Sequence, residues 1–185
     1  LSLTTKQALA NSLKKLMNQT SLEKITVTDI VADCGVNRQT FYYHFQDIYD
    51  LLGWIYKTEA LDSIADYKTY HTWQQGFLKI FHYVSDNMAF CLSTVHSLGR
   101  DHLDRFLYQV TFDLLMGVIE EVEVAAGAHV PLEDKKFIAD FYSFAFIGIL
   151  ISWLQRGAKE NPEHIIENIN RLIRGDIVKA LQKYT

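Results

Sequence analysis

Apolar residues recur every three or four positions along almost the whole chain, which is the spacing of helices with one buried face. Near the N-terminus Leu9, Leu13, Leu16 and Met17 form one such stripe, and Thr4-x-x-Gln7 ahead of them reads as a capping box. The polar stretch "NQTSLEKIT" reads as a connection. A second box, Thr26-x-x-Asp29, predicts a short helix through Ala32 that Gly35 ends by taking a left-handed conformation. Asn37 is placed to cap a helix of about two turns ending near Phe45. Asp47 is placed to cap a fourth, with Ile48, Leu51, Leu52 and Ile55 facing inward, and this helix is expected to run to about Tyr67.

The pattern then pauses at "YKTYHT", where we place a domain boundary. Beyond it a fifth helix is predicted from Trp73 to about Asp86, and a sixth from about Asn87 to Leu98, closed by Gly99. A seventh starts at Asp104 and carries Leu107, Val110, Leu114, Val118 and Val122 on one stripe, with Gly127 at its end. The eighth runs from about Glu133 to Arg156. The ninth opens with Asn161 as cap and Pro162 in the first helical position, and its stripe is Ile166, Ile169, Ile173 and Ile177. The prediction is an all-α protein of about nine helices. Residues 1–50 form a first domain with a connecting helix to about 70, and 71–185 form a second helical domain.

Composition changes this picture little. Of 185 residues 49% are hydrophobic, enough for a real core. Phe137 to Leu154 is mostly apolar and just long enough to span a membrane, but it holds Asp140, Tyr142, Ser143 and Ser152 and is read as a buried helix. No apolar run at the N-terminus has the form of a signal peptide. Cys34 and Cys91 form no motif, and two free thiols suit a reducing cytoplasm.

Charge argues against a strongly electrostatic nucleic-acid binder. Lys plus Arg is 18 against 22 Asp plus Glu, a formal charge of -4. The first 50 residues are neutral, with Lys6, Lys14, Lys15, Lys24 and Arg38 against Glu23, Asp29, Asp33, Asp47 and Asp50.

The stretch "CGVNRQTFYYHF", Cys34 to Phe45, is too polar for a core helix and too aromatic for an ordinary solvated one. With Asn37 at zero and 100° per residue, Phe41 and Phe45 fall at about 40° and 80° and can anchor inward. Gln39 and Tyr43 fall at about 200° and 240°, Thr40 at about 300°, and Tyr42 and His44 flank that outer face. Helix, glycine turn and short helix with a hydrogen-bonding outer face is the helix-turn-helix arrangement. Gln can bond bidentately to adenine and Arg to guanine, while Thr and aromatic edges pack on thymine methyls. Tyr hydroxyls and His can reach phosphates, which set register rather than sequence. Neutral donors and helix N-termini make the low net charge tolerable. A polar helix on the surface of a bundle is the competing reading from spacing alone.

The stretch "ITVTDIVADCGVNRQTFYYHFQDIYDLL" resembles the N-terminal DNA-binding domain of the TetR family of transcriptional regulators. The matching positions are Gly35, Val36, Asn37, Thr40, Phe41, Tyr42, His44, Phe45 and Leu51, within a resemblance covering about residues 4 to 55. It implies contact with double-stranded operator DNA through Thr28, Asn37, Arg38, Gln39, Thr40, Tyr42, Tyr43 and His44. One departure is Ile48, where the family usually has a phosphate-binding Lys, so one backbone contact is missing or moved.

The resemblance also implies a homodimer joined through the last two long helices, with repression as the commoner role. The residues expected at that interface are Phe144, Gly148, Ile151, Ile169, Ile173 and Ile177. The helix from Phe137 to Trp153 is apolar nearly all round and must be covered on every side, which one monomer of this size would struggle to do. The resemblance implies a cavity for a small apolar or amphipathic effector, for which Trp73, Phe77, Phe81, Phe106, Phe112, Phe141 and Tyr142 are the candidates. Plain core is the competing reading for each of them. The segment "FIADFYSFAFIGILISWLQRG" resembles a subgroup that includes regulators of dihydroxyacetone kinase operons, some of which work with a kinase-like coactivator. Control by a protein partner predicts a tightly packed second domain, and control by a small effector predicts an aromatic-lined pocket.

Nothing in the chain points to catalysis. Cys91 and His96 are five residues apart, on roughly opposite faces of a helix, and there is no glycine-rich phosphate loop. His96, Asp101, His102 and Asp104 straddle Gly99 without standard ligand spacing. No cofactor, no metal and no membrane partner are expected.

Overall fold

The computed structural model describes residues 2–61, 65–173 and 175–183, and among these there are α-helices and short helical turns but no strand. The helices are α1 (Ser2–Met17), α2 (Val27–Cys34), α3 (Arg38–His44), α4 (Ile48–Tyr56), α5 (Trp73–Asp86), α6 (Met88–Val95), α7 (Arg100–Ala126), α8 (Leu132–Gln155), α9 (Pro162–Ile173) and α10 (Asp176–Gln182).

Most predicted starts hold because they rest on local hydrogen bonding. Thr26 and Asp29 form the reciprocal capping box of α2. Asp47 Oδ1 accepts from the Asp50 amide at 2.8 Å to start α4. Asn161 Oδ1 accepts from the Glu163 amide at 2.8 Å beside Pro162 at the start of α9. The first box is different, because α1 already begins at Ser2 and Thr4 lies inside it. Gly99 also has another task than closing α6, which ends at Val95. A Cβ there would lie 2.7 Å from Leu52 Cδ2 and 2.9 Å from Leu22 Cδ2, so this position is a close approach.

Two long expectations are revised. The fourth helix ends at Tyr56 and gives way to a π-helical turn at Lys57–Leu61. Residues 62–64 of its expected course lie outside the described residues, and 65–67 form a 3-10 turn. The expected ninth helix is two helices. Gly175 takes φ 79°, which a side-chain-bearing residue adopts only with strain, and α10 begins after it.

The chain forms two compact units that are not contiguous in sequence. The first joins Leu1–Glu59 with Asn87–Phe106, and the second joins Ala60–Asp86 with Leu107–Thr185. The sequence reading placed a single cut near residue 70, whereas α6 and the first turns of α7 belong with the N-terminal helices. Tyr56 supplies the reason. Its hydroxyl bonds to Thr94 Oγ1 at 2.9 Å, its ring stacks on Phe106 at 5.2 Å, and Phe90 lies 5.0 Å away. All four side chains are buried. Helix α7 therefore starts in the first unit and continues into the second.

In the second unit the stripe Leu107, Val110, Leu114, Val118 and Val122 is buried as predicted. Helix α5 packs against α8 and α9, and α10 against α8. Helix α8 has the length and composition of a membrane span, with a mean hydropathy of 1.8, and 44% of that window is buried. Its inner face carries Ile138, Ala139, Ser143, Phe146, Leu150 and Trp153.

The α7–α8 connection is clamped by one carboxylate. Glu123 accepts from the Val130 amide at 2.8 Å and from Lys135 Nζ at 2.7 Å. The Lys135 bond, together with that amide, holds the Glu123 carboxyl below its usual range. A depressed carboxylate contributes stability that is present above its unfolded pKa and is lost as pH falls through the folded value. The melting temperature measured from pH 7 down to pH 3 is therefore expected to fall less steeply in Glu123→Gln than in wild type. The variant should also melt lower at pH 7. Parallel curves would remove Glu123 as a source of acid sensitivity.

Candidate nucleic-acid interface

Helices α2 and α3 are joined by a three-residue turn, Gly35 to Asn37. Gly35 sits at φ 71° and ψ 28°, and its amide and that of Val36 both bond back to the Val31 carbonyl. This left-handed residue ends α2 within one step and allows α3 to leave in a new direction. Asn37 restarts the helix, its Oδ1 accepting from the Thr40 amide at 2.8 Å and from Thr40 Oγ1 at 3.0 Å.

Inside α3 the anchors are those predicted. Phe41 is fully buried and Phe45 nearly so, with ring centroids 6.0 Å apart. Leu9, Leu13, Ile30, Leu51 and Leu52 of the neighbouring helices are likewise fully buried. Ser12 Oγ donates to the Ile30 carbonyl at 3.1 Å and ties α1 to α2.

The outer face is polar and open. Tyr43 is 82% exposed and Tyr42 51% exposed, and Arg38 and Gln39 are exposed beside them. His44 is half-buried with its ring 4.9 Å from that of Tyr43. Thr28 is exposed on α2. The eight predicted residues thus fall on the turn, the outward side of α3 and the start of α2, all within one compact unit. They are not equivalent. The side chains of Asn37 and Thr40 are committed to each other as the cap, and Arg38 Nη2 bonds to the Tyr42 hydroxyl at 3.5 Å with its guanidinium carbon 5.9 Å from that ring. Asn37 is the cap that the sequence predicts, whereas the Arg38–Tyr42 pairing is not predicted there, although a four-residue spacing on a helix is its signature.

Two lysines of α1 are held by carboxylates. Lys14 Nζ lies 2.7 Å from Glu59 and Lys15 Nζ 2.5 Å from Asp33. The Lys15 bond lowers the Asp33 pKa, so that pair stays charged and internally neutralised. Surface geometry, more than bulk positive charge, is what this unit offers a polyanion.

The predicted residues of the second domain scatter. Trp73, Phe77 and Phe81 are buried against other rings, with Phe77 stacked on Phe146 at 3.8 Å and Phe81 edge-on to Trp153 at 5.0 Å. Phe106 belongs to the first unit. Phe112 is half-buried and stacked on Tyr108 at 5.4 Å. Phe141 and Tyr142 line an open groove of about 250 Å³ with Phe137, Ile138, Ala180 and Lys183. A second groove of about 360 Å³ has Tyr70, His71, Glu121 and Val178 among its walls and none of the seven candidates.

Of the residues expected at an interface, Phe144 is 65% exposed and Gly148 is exposed. Ile151, Ile169 and Ile177 are already buried within the unit, so the isoleucine stripe of α9 and α10 serves its own core. The side chain of Ile173 lies outside the described residues.

Cys91 is fully buried, and burial pushes its thiol up to about 12, which leaves no nucleophile there. His102 stacks on Tyr49 at 6.0 Å, and among the described residues no group of His, Cys, Asp or Glu is gathered to hold a metal.

Comparison with known proteins assigns both halves. Residues 11–53 match the family described as bacterial regulatory proteins, tetR family, and residues 71–175 match one described as a transcriptional regulator C-terminal region. The chain is 30% identical over 156 residues to the HTH-type dhaKLM operon transcriptional activator DhaS of Lactococcus lactis subsp. lactis (strain IL1403), covering 84% of this chain and 82% of that protein. A solved structure of a dihydroxyacetone kinase operon activator DhaS superimposes with a TM-score of 0.74 at 25% identity over 98% of each chain. NalD, the secondary repressor of the MexAB-OprM multidrug efflux pump in Pseudomonas aeruginosa, superimposes with a TM-score of 0.65 at 15% identity over 97% of this chain and 96% of its own, which speaks to the fold alone.

Proposed function

The chain belongs to the TetR family of DNA-binding transcriptional regulators, which are not enzymes, and we propose that it acts as a homodimeric activator of a dihydroxyacetone kinase operon. The observation that carries the operon and the sign is the 30% identity to DhaS over 84% of the chain. Repression, the commoner role in the family, gives way to activation on that likeness. The protein works in the cytoplasm, where its operator is.

Two copies of α3 enter successive major grooves of a near-palindromic operator. Gln39 and Tyr43 read base edges, Arg38 reads guanine or phosphate, and His44, Tyr42 and Thr28 meet the backbone. Asn37 and Thr40 act chiefly by holding the first turn of α3. Gln39→Ala and Tyr43→Ala are expected to weaken operator binding by roughly 1–3 kcal/mol each, with smaller losses on scrambled DNA. His44→Ala should weaken binding to both duplexes evenly. Anisotropy titrations on the two duplexes read this out, and equal losses for all three variants would sink the division of roles.

Control by a protein partner on the surface of the second unit is favoured over a small effector inside it. The support is the packing of Trp73, Phe77 and Phe81 directly against Phe146 and Trp153, which leaves those rings occupied with one another. Run-off transcription from the operon promoter is expected to rise when regulator and coactivator are added together. Activation by a small molecule alone would overturn this.

A further inference from the structure

Two helix starts in the first unit are occupied by carboxylates of the chain itself. Asp29 accepts from the Thr26 hydroxyl at 2.6 Å and from the Thr26 amide at 2.8 Å, and those bonds hold its carboxyl below the usual range. At the start of α4, Asp47 takes the Asp50 amide at 2.8 Å and Asp50 takes the Gln46 amide at 3.0 Å. Neither start therefore presents a phosphate with the bare positive end of a helix.

Several cations of the unit are also committed. Lys14 is paired with Glu59, Lys15 with Asp33, and Arg100 with Asp104 at 2.6 Å. Lys6 of α1 is held in another way. Its Nζ lies 5.6 Å from the centroid of the Phe45 ring and 5.9 Å from that of Trp54, and it forms no ion pair with any described residue. The two rings meet edge-on at 5.8 Å. Lys6 is half-buried, so its stem covers the rings while its ammonium keeps access to solvent.

The place matters as much as the charge. Phe45 closes α3, and its ring lies 6.4 Å from that of His44, which the reading above assigns to the DNA backbone. We infer that Lys6 is a further DNA-backbone contact, holding a phosphate beside the C-terminal end of α3. The inference rests on α3 being the helix that enters the groove.

The aromatic seat explains why this lysine suits the task. A carboxylate partner orders a lysine but cancels its charge. An aromatic face within about 6 Å orders it and leaves the charge whole. An ammonium already held in place also loses less freedom when a phosphate arrives. No such contact orders the exposed side chains of Lys24, Lys57 and Arg105 among the described residues. The competing role for Lys6 is structural, as a cover for the two rings.

Salt dependence separates the two roles. Lys6→Met keeps an apolar stem and removes the charge, whereas Lys6→Arg keeps both. Binding to a mixed-sequence duplex is titrated by anisotropy between about 50 and 200 mM salt, because a phosphate contact is indifferent to sequence. Each protomer that loses one phosphate contact lowers the slope of log affinity against log salt by about 1, so the slope for a Lys6→Met dimer should be shallower by about 2. Lys6→Gln should give the same reduced slope, and Lys6→Arg should keep that of wild type. Melting curves read the structural role separately. A folded Lys6→Met or Lys6→Gln protein with the wild-type slope, whatever its melting temperature, overturns the inference and leaves α3 as the DNA-binding element. A wild-type protein that binds no duplex overturns both.

Discussion

Phe41→Ala is expected to abolish operator binding by dismantling the unit that presents α3. The ring is fully buried between the helices of the first unit and touches Phe45 and the edge of Tyr42. Removing a buried phenylalanine costs about 3–5 kcal/mol, from lost transfer energy and the cavity left behind. Whole domains are stable by only about 5–15 kcal/mol, and a unit of this size at the low end of that range would then spend a large share of its time without an ordered α3. Hydrogen exchange should show protection lost in α2, α3 and α4, and operator affinity should fall with the fraction still competent to bind. Tyr43→Ala is the control. At 82% exposure Tyr43 leaves the core untouched, so its loss should lower affinity without moving the melting temperature. A Phe41→Ala protein that binds operator like wild type would show that the anchor is dispensable.

Phe144→Glu is expected to convert the proposed dimer to a monomer and, through that, to cost more operator affinity than any single base contact. The side chain is 65% exposed in the protomer, so the substitution leaves each protomer folded. In an apolar interface the new carboxylate has no cation to meet, and an uncompensated buried charge costs several kcal/mol. A monomer holds only one half-site and forfeits the effective concentration that makes the second half-site cheap, an advantage of about 10²–10⁴. Sedimentation at micromolar concentration and titration on full and half operators read the two consequences separately. A Phe144→Glu protein that stays dimeric with wild-type affinity would move the interface away from α8.

What the sequence determined alone is everything that depends on near neighbours. The caps Thr26, Asp47 and Asn161, the left-handed Gly35 and the inward pair Phe41 and Phe45 are set by residues two to four positions apart. For that reason the helix-turn-helix, its outward polar face and the all-helical class were legible before any contact was seen. Periodicity says that a face is apolar, however, and is silent on what covers it. Ile169 and Ile177 read like an interface and turned out to be core, while Phe141 read like pocket or core and turned out to be open. The break at Gly175 was hidden because Ile169, Ile173 and Ile177 keep helical spacing across it. Only the tertiary structure decided that α6 and the start of α7 belong with the DNA-binding helices. That choice rests on Tyr56 meeting Thr94 and Phe106 across 38 and 50 residues of chain, contacts between side chains that no local pattern couples.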